Sequence, residues 1–144
     1  MNTEDRIVVG LDGSEPARRA LAWALREAAR TNASVEAITV WDWDGIEGSL
    51  VSATSPAEEE QRAEDVLAAE IRAAAPDQPP TLTGRTRRGR ASTVLTKAAV
   101  DARMLVLGSH GFSRLHHAVL GSVAEECVRA ATCPVMVIPA GMPG

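Results

Sequence analysis

The sequence predicts an α/β fold with a parallel, doubly wound sheet of Rossmann-like type, five strands with about four helices on both faces. Three observations carry this. Short apolar runs rich in β-branched residues alternate with longer segments of helical periodicity, Gly, Pro, Asp and Ser punctuate the junctions, and the strands are apolar enough to need cover on both sides.

Arg6-Ile7-Val8-Val9-Gly10-Leu11 reads as a buried first strand that ends where Asp12-Gly13-Ser14 changes the turn chemistry. Residues 15–30 then place Ala17, Leu21, Ala24, Leu25 and Ala28 on one stripe of a helix, with Ser14 available as N-cap and Pro16 tolerated in the first turn. Residues 34–41, Ser-Val-Glu-Ala-Ile-Thr-Val-Trp, form the second strand. A polar stretch leads to Ser55-Pro56, where Ser55 and Glu58 make a capping box, and Glu58, Glu59 and Glu60 load negative charge onto the positive end of the second helix. Pro76, Pro79 and Pro80 stop it. Residues 81–87 are a polar third strand, 93–101 a helix with Val94, Leu95 and Ala98 on one face, 104–107 an apolar fourth strand, 122–131 the fourth helix and 135–138 the fifth strand after Pro134.

A chain of 144 residues matches one domain, read as residues 1–144, and a domain of this size buries about two-thirds of its unfolded surface. Apolar residues at 45% and charged residues at 24% exclude a wholly disordered chain. Only 3% of residues are aromatic, so the core must be built from Val, Leu, Ile and many Ala, which favours helices packed tightly on a sheet. The start lacks the basic-then-apolar pattern of a secretory signal, and no apolar run approaches the ~18 residues of a membrane span, which predicts a cytoplasmic protein without a membrane partner. Cys127 and Cys133 are expected as buried or half-buried thiols, too few for a disulfide framework or a zinc site. A net charge of −4 argues against nucleic-acid binding by the protein as a whole. The cluster Arg85, Arg87, Arg88 and Arg90 reads as the solvated edge of the third strand, because no aromatic residues interleave for base stacking.

Open parallel sheets bind ligands at the carboxyl ends of their strands, so the loops after strands one and four take priority. The chain after strand four runs from Gly108 to Ser122 with the pattern Gly-x2-Gly-x9-Gly-Ser. Lacking a Cβ, Gly108 and Gly111 can adopt backbone conformations that aim N–H groups into a concavity for phosphate oxygens, and Gly121-Ser122 opens a helix whose N-terminus favours an anion. The competing structural explanation makes the glycines turn residues and Ser122 an N-cap boxed with Glu125; the two are compatible. No Gly-x4-Gly-Lys-Ser/Thr loop, Gly-x-Gly-x2-Gly fingerprint or Gly-x-Ser-x-Gly elbow is present, which disfavours Walker-type hydrolysis, dinucleotide redox chemistry and a hydrolase triad.

The order of elements, Val-Gly-Leu-Asp-Gly-Ser at 9–14, the glycine run and Cys-Pro-Val at 133–135 together resemble the universal stress protein family over essentially the whole chain. The resemblance implies strand order 3-2-1-4-5. It also implies an ATP site, with magnesium, made of Asp12, Val40, Leu107, Gly108, Gly111, Gly121, Ser122 and Val123. By the family's pattern the Val40 backbone meets the adenine edge, Asp12 lies near the nucleoside, and the glycine loop with Ser122 holds the phosphates. It further implies a stress-response regulator acting through nucleotide-dependent conformation or partner binding. A homodimer through the C-terminal edge strand is expected both from the family and from the apolar 135–138 edge. No catalytic residue is assigned, and the metal ligands are left open. The alternatives are a slow ATPase or self-phosphorylating enzyme, with Ser109, Ser113 or Ser122 as acceptor, and a nucleotide-free dimeric interaction protein. Arg114, His116 and His117 could approach a terminal phosphate or form a basic surface loop, and Trp41 and Trp43 could stack on the ligand or cover a sheet edge.

Overall fold

The structure is a computed structural model that describes residues 5–43, 54–111 and 120–141. Nine elements alternate: β1 (Arg6–Gly10), α1 (Glu15–Thr31), β2 (Ser34–Trp41), α2 (Pro56–Ala74), β3 (Leu82–Arg88), α3 (Ala91–Ala98), β4 (Met104–Gly108), α4 (Ser122–Ala130) and β5 (Val135–Ile138). The five strands form one parallel sheet in the order β3-β2-β1-β4-β5, so β1 and β4 lie side by side where the chain reverses direction across the sheet.

The period of two along each strand divides the core. Ile7, Val9, Val35, Ala37 and Val106 face α1 and α2, against the alanine-rich stripe of Ala17, Ala20, Leu21, Ala24 and Ala28. Val8, Ile38, Leu105 and Leu107 face the other way, toward Leu95 and Cys127. Alanines on α1 let its backbone approach the sheet closely, which suits a core almost without aromatics. Cys127 is fully buried and its thiol is pushed up to about 11 by that burial, with the Glu126 charge adding to it; burial also raises Cys133. Both thiols are free and held in the neutral, unreactive form.

The helix starts follow the turn chemistry. Ser14 has extended backbone and its Oγ accepts from Ala17 N–H at 3.4 Å, while Ser55 Oγ accepts from Glu58 N–H at 3.2 Å. At two places the outcome differs from the sequence reading. α3 begins at Ala91, not Thr93, and ends at Ala98: Gly89 at φ +144° turns the chain out of β3, Arg90 is already extended as the N-cap, and Asp101 at φ +64° lies in the turn beyond the helix. At α4 the N-cap is Gly121, Ser122 is the first helical residue, and no side chain caps the helix, so the box between Ser122 and Glu125 is not formed.

β3 is an edge strand, and most of the arginines on it and in the turn after it are engaged with carboxylates. Arg85 reaches Glu36 at 3.1 Å, Arg88 reaches Asp42 at 3.5 Å and lies 5.5 Å from the Trp41 ring centroid, and Arg90 pairs with Glu126 on α4. A hydrogen bond from Ser92 and the Arg90 guanidinium hold the Glu126 carboxyl below the usual carboxylate range. Trp43 donates its indole N–H to the Thr54 carbonyl at 2.9 Å.

Candidate functional site

A cleft of about 250 Å³ opens at the carboxyl ends of β1, β2 and β4. Three helices begin around it: Ser14 and Ala17 of α1, Ala91 of α3, and Ser122, Val123 and Ala124 of α4 all line its wall. Asp12, Val40, Leu107, Gly108, Gly111, Gly121, Ser122 and Val123, drawn from five separate stretches of the chain, all meet there. Trp41 and Trp43 do not line it. Arg114, His116, His117 and Ser113 lie outside the described residues.

The topology gives the cleft two ends. On the β2 side, Ile38, Val40, Leu95 and Ala91 make an apolar slot. On the β4 side, Ser109, His110, Gly111, Gly121 and Ser122 supply backbone and hydroxyl groups. Asp12, at the end of β1, stands between them. Its Oδ1 accepts from the Ser14 N–H at 2.9 Å and from the Ser14 hydroxyl at 2.5 Å, which fixes the carboxylate in an Asx turn.

The glycines are required for space. Gly108 and Gly111 do not take left-handed backbone conformations; the positive φ values among described glycines belong to Gly13 and Gly89. A Cβ on Gly108 would lie 2.7 Å from the Pro16 carbonyl carbon and 2.8 Å from the Ala17 nitrogen, so this glycine admits the first turn of α1. A Cβ on Gly111 would lie 2.7 Å from Asp12 Oδ2, so the carboxylate rests against the loop where a side chain would stand. At Gly121 a Cβ would come within 3.2 Å of both His110 Cα and Ser109 O. The Gly121 N–H donates to that same Ser109 oxygen at 2.6 Å, so the long loop leaves and returns at one point.

This closure orients α4. The first helical hydrogen bond runs from Glu125 N–H to the Gly121 carbonyl at 2.9 Å. The N–H groups of Ser122, Val123 and Ala124 precede it, have no intrahelical acceptor, and belong to residues that line the cleft. Uncapped amides and the positive end of the helix dipole make this an anion-seeking corner. Asp12 is the single carboxylate among the described lining residues, and among the described residues no group of three or more His, Cys, Asp or Glu is placed to hold a metal.

Sequence reasoning missed Ile38, Leu95 and His110, and named Ser109 only as a possible acceptor in the enzyme alternative. Ile38 shares a strand face with Val40 and could have been found by the period of two. Leu95 could not, because its place beneath the end of β2 depends on how α3 docks. His110 Nδ1 lies 3.0 Å from the Ser109 hydroxyl, within the same wall.

Comparison with known proteins is consistent across sequence and structure. The universal stress protein family matches residues 4–139. A universal stress protein of Mycobacterium tuberculosis (strain ATCC 25618 / H37Rv) is 32% identical over 141 residues, covering 94% of this chain and 48% of the relative. The chain thus spans about half the length of the curated relatives it matches. Among solved structures, the universal stress protein UspA from Lactobacillus plantarum superposes with a TM-score of 0.73 at 25% identity, covering 92% of this chain and 96% of its own. Two more share the fold: a universal stress protein in complex with cAMP, with a TM-score of 0.70, 23% identity and coverage of 92% and 95%, and one from Archaeoglobus fulgidus in complex with dAMP, with a TM-score of 0.67, 23% identity and coverage of 92% and 96%.

Proposed function

Because the chain belongs to the universal stress protein family, we propose that its cleft binds an adenine nucleotide, specifically ATP with magnesium, and that the bound nucleotide sets a conformation or partner-binding state in a cytoplasmic stress response. One observation carries the proposal: Ser122, Val123 and Ala124, whose amides have no intrahelical acceptor, line a cleft whose opposite end is an apolar slot. In this reading the phosphates take the amide corner and the adenine lies against Ile38, Val40 and Leu95. Two solved family members in complex with cAMP and dAMP support an adenine ligand. With Asp12 the one carboxylate at hand among the described residues, magnesium would arrive on the phosphates and take at most that ligand from the cleft.

Calorimetric titration with ATP and magnesium tests this, with saturation at one nucleotide per chain expected. Asp12→Asn keeps an oxygen for the Ser14 turn while removing the charge, and should weaken ATP about tenfold, the usual scale for losing one charged hydrogen bond or ligand. No binding to the wild type at millimolar nucleotide would overturn the proposal. Equal affinity for ATP and AMP would keep an adenine site and remove the assignment to ATP.

We also propose a homodimer through β5. This four-residue strand is the free edge beside β4, and Met136 on it is 38% exposed. Leu105 N–H bonds the Pro134 carbonyl and Ser109 N–H bonds that of Ile138, so these peptide groups face β4 while Val135 and Val137 present theirs outward. Val137→Pro removes an outward N–H and leaves the ladder to β4 intact. The variant should sediment as a monomer where the wild type sediments as a dimer; a wild-type monomer at micromolar concentration would refute this interface.

A further inference from the structure

The far side of α3 carries a second concavity. α3 turns Leu95 and Ala91 toward the nucleotide cleft, whereas Val94, Lys97 and Ala98 line a groove of about 580 Å³ along the outer part of the sheet. Arg6 of β1, Arg85, Arg87 and Arg88 of β3, and Lys97 of α3 surround this groove, against Glu36 of β2 as its sole lining carboxylate among the described residues. That is a local excess of cations in a chain whose net charge is −4.

Edge-strand protection explains part of this set, since charged side chains on β3 discourage pairing with another chain. It does not explain Lys97 of α3, whereas Arg6 of β1 is engaged with the Ala98 and Val100 carbonyls at 2.8 and 3.2 Å. Glu36 is shared between Arg85 at 3.1 Å and Arg6 at 3.6 Å, and Arg88 is occupied by Asp42 at 3.5 Å. Among the described residues Arg87 and Lys97 have no acidic partner within salt-bridge distance. Arg85 Nε is a buried donor with no hydrogen-bond acceptor among the described residues, although the same guanidinium reaches Glu36 through another nitrogen. A buried, unsatisfied donor beside an excess of cations is stabilised by an anion that brings its own acceptor oxygens.

We propose that this groove is a second anion site, separate from the nucleotide cleft, for a compact ligand bearing two or more phosphoryl groups. The volume exceeds what one phosphate fills. Arg85 and Arg87 project from one face of β3 about 7 Å apart, a spacing that several linked phosphoryl groups can span and a single one cannot. Recession of the buried Arg85 donor within the groove favours a slim anion over a flat protein surface, and the described lining holds no aromatic ring for stacking a base.

The test uses the full chain and inorganic tripolyphosphate without magnesium, followed by calorimetry in the wild type, in Gly121→Val and in the double variant Arg87→Glu/Lys97→Glu. Saturable binding should appear equally in the wild type and in Gly121→Val, and weaken about a hundredfold in the double variant, the sum expected for two charge-assisted contacts. If charge reversal disturbs folding as judged by circular dichroism, Arg87→Gln/Lys97→Gln replaces it, with the same direction expected. Absence of saturable binding, or binding lost in Gly121→Val and kept in the double variant, would overturn the proposal. So would a polyglutamate peptide that binds more tightly than tripolyphosphate through the same two cations, which would make the groove a protein-docking surface.

Discussion

Gly108→Val is expected to lower the thermal midpoint of unfolding by about 10 °C. The atoms that a side chain at 108 would meet are the Pro16 carbonyl carbon at 2.7 Å and the Ala17 nitrogen at 2.8 Å, both main chain, so no rotamer change relieves the clash. α1 must move off β4, and with it the stripe of Ala17, Ala20 and Leu21 that fills the core on that side. Overpacking of this kind costs about 3 kcal/mol, and for a domain of this size each kcal/mol lowers the midpoint by about 2–4 °C. Nucleotide affinity should fall as well, since Ser14 and Ala17 ride on the same helix start. Differential scanning calorimetry checks the first effect; an unchanged midpoint would mean that α1 is not seated against Gly108 as described.

Gly121→Val should behave oppositely, losing about a hundredfold in nucleotide affinity with little loss of fold. The backbone there, φ −70° and ψ 166°, suits valine, so there is no dihedral strain. The added atoms press on His110 Cα and Ser109 O at 3.2 Å, which must part by a few tenths of an ångström or more, lengthening the 2.6 Å bond that closes the loop. Because Ser122, Val123 and Ala124 follow directly, their amides swing with that displacement, and phosphate binding by several amides tolerates little misplacement. Calorimetric titration beside far-ultraviolet circular dichroism separates the two effects. A variant that binds ATP as well as the wild type would place the phosphates elsewhere.

The two glycines read alike in the sequence, yet one seats a helix and the other shapes the ligand corner. What was legible was local. The period of two in Ile7-Val8-Val9, the alanine stripe of α1 and the Ser14 and Ser55 caps each depend on neighbours within a few residues, and each element forms where they indicate. The polar strand β3 was harder, because an edge strand that turns arginines to solvent lacks an apolar signature. The sheet order came from resemblance, since nothing in the local pattern states which strands are adjacent. Gly108, Gly111, Gly121 and Ser122 were legible from the glycine spacing after β4, whereas Asp12, Val40, Leu107 and Val123 were gathered by resemblance. Their convergence follows from the reversal between β1 and β4, but Leu95 and the space requirement at Gly108 arise from contacts between segments far apart in the chain. Ser122 shows the limit of capping rules, because a serine beside a glycine at a helix start leaves two candidates for the cap, and here the backbone chose Gly121.

The hydrogen bond that closes the loop from Ser109 to Gly121 also bears on how this protein can diversify. Lengthening a loop whose two ends are held together carries only a slowly growing entropic cost. Insertions between Ser109 and Gly121 are therefore expected to leave β4 and α4 joined as they are, because the bond between these two peptide groups does not depend on how much chain separates them.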